Sequence, residues 1–367
     1  MSENKMIRVG ITHGDINGVG YEVILKTLVD TRFVEICTPV VYGSAKVAAY
    51  HRKALDMEPV NFNIVSGARQ VVDGQNNLIN CIDEEVKVEI GHTSEQVGPA
   101  AFASLERAVA DLSEGLIDVL VTAPISKHAM QSADFTFPGH TEYLEQRLGE
   151  EGDKALMILL NDSLRVAMVT GHMPIAQVPA TLTQELILEK IAIFEESLRH
   201  DFGVRKPRIA VLSLNPHAGE NGMLGDEEIN IIKPALNEAK KNGSLCFGPY
   251  AADGFFGTEH YRRFDGVLAM YHDQGLAPFK TLAMENGVNF TAGLPFVRTS
   301  PDHGTAYDIA GKGLASEESF RQAVYTAIDI YRNRISDDEA HASPLRRQYV
   351  DKSGDREVLD LTGDDEQ

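Results

Sequence analysis

Ile209-Ala-Val-Leu-Ser-Leu-Asn-Pro-His217 reads as a buried strand that stops at a histidine. Two further stretches repeat the pattern: Val166-Ala-Met-Val-Thr-Gly-His172 and Val267-Leu-Ala-Met-Tyr-His272. Short, continuous apolar runs without alternation belong to strands covered on both faces, as in mostly parallel sheets flanked by helices. In open α/β sheets ligands bind beyond the carboxyl ends of the strands. Three imidazoles placed at three such ends therefore predict a shared site. Neutral imidazoles can hold a divalent cation and leave positions open for substrate oxygens. Any one of these histidines alone reads more simply as a satisfied strand-end residue, and their spacing matches no compact zinc motif. The repetition carries the reading. Asp273, beside His272, is a candidate proton carrier or a carboxylate that orients its neighbour.

Outward from these runs, apolar β-rich segments alternate with helical ones. Further strands are predicted at Ile7–Thr12, Pro39–Tyr42, Val86–Ile90, Ile117–Thr122, Ala155–Leu160 and Asn289–Gly293. Helices are predicted after Asn17, after Pro99, over Gln184–Leu198, over Glu227–Lys241 and over Ser316–Arg332. The alternation gives an α/β fold class. The stretch His51–Asn80 has no clear period.

With 367 residues the chain is long enough for about two domains. Its 43% hydrophobic and 24% charged residues exclude general disorder. The net charge of −20 argues against nucleic acid as a partner. The segment Ser336–Gln367 holds ten acidic residues against four basic ones and reads as a loosely attached tail. No apolar run approaches the roughly 20 residues of a membrane span, and no secretory signal opens the chain. Cys37, Cys81 and Cys246 form no CxxC pair. A cytoplasmic protein with reduced thiols is expected.

Three polar stretches bear on ligands. Thr12-His-Gly-Asp-Ile-Asn-Gly-Val-Gly20 joins a strand to a helix and is either an anion-approach turn or simply a turn. It is neither GxGxxG nor a P-loop, and Lys26 lies too far on to act as a P-loop lysine. Ser300-Pro-Asp-His-Gly-Thr-Ala-Tyr-Asp-Ile-Ala-Gly-Lys-Gly313 has the composition of a binding loop, with Lys280, Asn289 and Arg298 upstream as donors for a phosphate or carboxylate. Phe137-Pro-Gly-His140-Thr141-Glu142 can present an imidazole and a hydroxyl.

Taken in order, these motifs resemble the 4-hydroxythreonine-4-phosphate dehydrogenase family of vitamin B6 biosynthesis, from about Ile7 to Leu314. Thr122-Ala-Pro-Ile-Ser-Lys127, Gly225-Asp-Glu-Glu228 and Tyr271-His-Asp-Gln-Gly275 add to the match. The loop from His303 to Gly313 is also similar to the cofactor loop of isocitrate and isopropylmalate dehydrogenases, whose NAD site is non-Rossmann. The resemblance implies two α/β/α domains with a cleft between them: residues 1–135 with 300–367, and residues 136–299. It implies a homodimer whose two subunits together supply His172, His217 and His272 to a divalent metal (zinc, magnesium or cobalt). His140, Thr141, Lys280, Asn289 and Arg298 would contact substrate, and His303, Gly304 and Asp308 the NAD or NADP. Asp253 or Asp273 would accept the proton. The first turn departs from the family's usual Pro-Gly-Asp-Pro-Ala-Gly.

The implied reaction is oxidation of 4-phosphohydroxy-L-threonine at C3 to 2-amino-3-oxo-4-phosphooxybutanoate, a β-keto acid that loses CO2 to give 3-amino-2-oxopropyl phosphate. A related four-carbon phosphate such as 4-phosphothreonate or 4-phosphoerythronate is an alternative substrate. A metal-dependent phosphatase is the alternative of another class.

Overall fold

A computed structural model describes residues 6–342, apart from 84, 132–134 and 138. The acidic stretch 343–367 lies outside the described residues. In chain order the strands are β1 Arg8–Thr12, β2 Thr38–Gly43, β3 Phe62–Val65, β4 Asn76–Asn80, β5 Val119–Thr122 and β6 Leu156–Leu160. They continue with β7 Arg165–Met168, β8 Arg208–Leu212, β9 Leu245–Tyr250, β10 Gly266–Ala269, β11 Val288–Ala292 and β12 Arg298–Pro301. All belong to one sheet, in the order β3-β4-β2-β1-β5-β12-β11-β6-β7-β10-β8-β9.

Pairing is parallel from β3 to β12 and again from β7 to β9. Between these blocks, β12, β11, β6 and β7 pair antiparallel. The two parallel blocks therefore run in opposite directions, and the antiparallel centre joins them. The division read from sequence would cut this sheet at β12.

Helices cover both faces, so the strands lie inside and can be apolar throughout. Val97–Ser113 packs on β1, β2 and β5, while Glu318–Ala342 lies on β12, β5 and β11. Gln184–His200 and His272–Ala283 cover β6, β7 and β10. In Val97–Ser113, Ala101, Leu105, Ala108 and Leu112 recur on the buried face. The helix closes where Gly115, at φ +66°, lets its N–H return to the Leu112 carbonyl.

Several expectations are corrected. Val86–Ile90 is not a strand. Its backbone pairs with side chains instead: Lys87 N donates to Gln96 Oε1, and Glu89 N to Asn17 Oδ1 at 2.8 Å. The unreadable stretch holds β3 and β4, whose polar Asn76 and Asn77 mask the pattern. Asn77 is buried because it bonds the backbone of Pro39, Val72 and Gln75. The helix expected to end at Arg332 continues to Ala342, so the first acidic residues of the tail are helical. Glu227–Lys241 begins as a π-helical turn, Glu228–Ile232, before the α-helix Lys233–Lys241. Among the described residues no helix is long and apolar enough to cross a membrane.

Candidate active site

Parallel β7, β10 and β8 are neighbours, so the loops that follow them lie side by side. The Thr170 hydroxyl donates to the Met270 carbonyl, tying the loop after β7 to that after β10. Gln274 accepts from Met270 N at 2.7 Å and donates to the Ser213 carbonyl at 2.6 Å, tying β10 to β8. These links bring His172 and His272 together, with ring centroids 5.0 Å apart. His272 Nδ1 is 2.7 Å from Asp273 Oδ1; with Nδ1 as donor, its Nε2 lone pair is left free. Burial first, and then the nearby Lys127 charge, hold the His172 pKa down, so its imidazole is neutral.

Both histidines border a cavity of about 560 Å3 over the antiparallel centre of the sheet. Register explains its floor. Asn289 pairs with Ser300 on one side and Leu159 on the other, and all three line the cavity. Met157 and Arg298, two residues along their strands, share that face. His140, from the start of the helix His140–Leu148, and Lys280, from His272–Ala283, complete the walls with His303 and Gly304.

The cavity is cationic although the chain is acidic. Arg298 is only 4% exposed. It donates to the Thr122 hydroxyl at 2.6 Å and lies 3.1 Å from His140 Nδ1. Burial lowers its pKa to about 10. Burial, then the Arg298 and Lys127 charges, keep His140 neutral. Lys280 meets Asp302 Oδ1 at 3.3 Å. Burial raises the Asp302 pKa, and Lys280 opposes the rise. Two buried polar atoms on this wall, Asn289 Oδ1 and His303 Nε2, have no hydrogen-bond partner. Such atoms are costly to leave unpaired and are suited to a ligand.

The cavity thus gathers His172, His272, Asp273, His140, Lys280, Asn289, Arg298, His303 and Gly304. It does not include Thr141, Asp253, Asp308 or His217. Asp253 and Asp308 are exposed elsewhere. His217 opens a left-handed run: His217, Ala218, Gly219, Glu220 and Asn221 all have φ between 44° and 77°. Glu228 supports that run by accepting from Leu214 N and Asn215 N, each at 2.8 Å. Beside it Met223 is 82% exposed. Among the described residues of one chain, no group of three or more His, Cys, Asp or Glu could hold a metal ion.

Lys127 and Asp302 line the cavity; the sequence reading includes them in the Thr122–Lys127 motif and the Ser300–Gly313 loop without assigning either a role. The strand-end rule could have found Lys127, which follows β5 as His272 follows β10. Asp302 carried no such signal, because β12 is too short and polar to read as a strand.

The family model described as "Pyridoxal phosphate biosynthetic protein PdxA" matches residues 35–327. A 4-hydroxythreonine-4-phosphate dehydrogenase of Bacteroides thetaiotaomicron is 61% identical over 366 residues, covering 100% of both chains. A protein of Oceanobacillus iheyensis named "Putative D-threonate 4-phosphate dehydrogenase" is 40% identical and aligns with 88% of this chain and 97% of its own. The crystal structure of 4-hydroxythreonine-4-phosphate dehydrogenase from Klebsiella pneumoniae superposes with a TM-score of 0.77 at 35% identity, covering 90% of this chain and 99% of that one.

Proposed function

The chain belongs to the PdxA family of pyridoxal phosphate biosynthetic proteins, and from that premise we propose that it oxidises 4-phosphohydroxy-L-threonine at C3 with NAD or NADP and a divalent metal. Family membership makes it a dehydrogenase and removes the phosphatase alternative. The observation that carries the substrate reading is the cationic cavity, lined by the buried Arg298 and the partly exposed Lys280 together with Asn289 and His140. Such an arrangement suits a short chain with an anion at each end.

His172 and His272 fit a divalent cation, being adjacent and open to the cavity, with the His172 imidazole held neutral. His303 and Gly304 fit the near end of a dinucleotide, since His303 Nε2 is unpartnered and a Cβ on Gly304 would meet nothing within 4 Å. The chemistry such groups would supply when bound is Lewis-acid polarisation of the C3 hydroxyl and acceptance of the hydride that leaves the C3 carbon. The chain's own residues do the rest. Arg298 and Lys280 fix the anionic ends, and Asn289 Oδ1 accepts a substrate N–H or O–H. Of the two carboxylates expected to take the proton, Asp273 is the one that borders the cavity. The β-keto acid product then loses CO2, its ketone accepting the electron pair.

The third imidazole comes, in this proposal, from a second copy of the chain. His217 is exposed on a strained left-handed run, next to the exposed Met223, Leu224 and Ile229. Apolar surface of this kind favours a covered interface, and a homodimer would bring one protomer's His217 to its partner's His172 and His272. The two-domain division stands as part of the same proposal.

The test is absorbance of reduced nicotinamide with 4-phosphohydroxythreonine, 4-phosphothreonate and 4-phosphoerythronate, with and without chelator. Chelator-sensitive reduction, highest kcat/KM with 4-phosphohydroxythreonine, is expected. Preference for 4-phosphothreonate would transfer the chain to the reading its Oceanobacillus relative suggests. Full activity in chelator would remove the metal.

A further inference from the structure

The glycine-rich turn Thr12–Gly20 has the sequence of an anion cradle, but protein backbone fills it. A Cβ on Gly14, at φ +67°, would stand 2.2 Å from the Pro124 carbonyl oxygen. One on Gly18 would stand 2.8 Å from the Thr305 carbonyl oxygen. The turn uses these close approaches for hydrogen bonds: Asp15 N donates to Pro124 O at 2.9 Å, and Val19 N to Thr305 O at 3.0 Å. It is wedged between the Thr122–Lys127 wall of the cavity and the loop 303–313.

Side chains lock the wedge. The Tyr307 hydroxyl donates to the buried Asp15 carboxylate, and it also meets the hydroxyls of Ser126 and Thr93. Asp15 Oδ1 accepts from Asn17 N at 2.8 Å, which fixes the carboxylate in turn. At the other end of the loop, the buried Glu22 accepts from Ala315 N at 3.0 Å and pairs with Lys26 at 2.9 Å. Lys26 also donates to the Gly313 carbonyl at 2.9 Å. The loop is thus tied at both ends to the first turn and its helix.

We propose that Tyr307 is a positioning residue for the dinucleotide, holding the 303–313 loop against the substrate wall through Asp15. This rests on the reading of that loop as the cofactor site. A loop ordered before binding spares the dinucleotide the entropy of ordering it, so loss of the bond appears in dinucleotide affinity and leaves substrate affinity alone. The Asp15 end of the bond is buried, where a donor or acceptor left without its partner is costly.

The test compares the full-length chain with Tyr307→Phe, Asp15→Asn and the double variant. Three quantities are read: Kd for the reduced dinucleotide by nicotinamide fluorescence, steady-state KM for each reactant, and amide exchange across 303–313 in nucleotide-free protein. In Tyr307→Phe the dinucleotide Kd and KM are expected to rise about fivefold or more, with substrate KM within about twofold. Exchange across 303–313 should quicken. The double variant should be no weaker than Tyr307→Phe alone, because that substitution already removes the Tyr307 contact that Asp15→Asn perturbs. An unchanged Kd, unchanged loop exchange, or effects that multiply in the double variant would overturn the proposal. If Tyr307→Phe fails to fold, the Asp15→Asn comparison alone decides it by the same readouts. An unaltered protein that reduces neither NAD nor NADP would sink the functional reading; an active parent with an unaffected Tyr307→Phe sinks only the positioning role.

Discussion

Arg298 offers the most direct test of the site. At pH 7 its guanidinium is charged in both folded and unfolded chains, yet burial lowers its folded pKa from the usual guanidinium range to about 10. A difference of that size corresponds to roughly 3 kcal/mol by which the charge opposes folding. The opposition fades only as pH rises past 10, where the folded chain releases the proton more readily than the unfolded one. Arg298→Met removes the charge and keeps much of the stem volume. The lost bonds to Thr122 and Thr291 cost about 1–2 kcal/mol, so the unliganded variant should be more stable by about 1–2 kcal/mol. Substrate recognition should move the other way. Losing a buried cation that meets an anion costs about 3 kcal/mol, on the order of 10²-fold in kcat/KM. Urea unfolding with and without 4-phosphohydroxythreonine reads the first quantity, and initial rates read the second. Stability unchanged or reduced by the substitution, with kcat/KM within about threefold of the parent, would refute the assignment of Arg298 as a cation held for substrate.

His13 is fully buried, stacks on Tyr21 at 5.2 Å and has its pKa lowered to about 4, burial being the main cause. The unfolded chain binds that proton first, so stability should fall by roughly 1.4 kcal/mol per pH unit between about 6.5 and 4; urea midpoints of His13→Phe should lack that slope. If His217 is contributed by a partner, His172→Ala and His217→Ala protomers are each inactive alone, and co-expression should restore activity in mixed dimers. Equal inactivity in the mixture counts against the shared site. Glu228→Ala leaves Leu214 N and Asn215 N without their acceptor, at about 1–3 kcal/mol. Faster amide exchange over 213–222 and lower metal content are the expected readouts.

The strand-end histidines were legible because β10 is apolar throughout and β7 and β8 are apolar after their first residues, Arg165 and Arg208, and burial on both faces demands that composition. The same rule located the face of the sheet where the cavity lies. It could not show that His172 and His272 meet while His217 stands apart, since that depends on Thr170 and Gln274 binding neighbouring loops. β12 and β4 escaped for the opposite reason. Arg298, Thr299 and Ser300, like Asn76 and Asn77, are polar residues in buried strands, stable there only because particular tertiary partners accept and donate to them. The first turn offered two readings, an anion-approach turn or simply a turn, and its glycines are occupied in making the turn. The close approaches at Gly14 and Gly18 are made by the carbonyls of Pro124 and Thr305.

The position of β12 has a consequence for biosynthesis. The block β3-β4-β2-β1-β5 is fully translated by Thr122, but β5 gains its second neighbour only when Arg298 arrives, 176 residues later. At roughly 5–20 residues per second, the ribosome leaves the edge Val119-Leu-Val-Thr122 open for about 10–35 seconds. That edge is apolar and carries no charge of its own to discourage pairing with another chain. The nascent protein therefore carries this open edge through about half of its synthesis, and a chain terminated before Arg298 keeps the liability permanently.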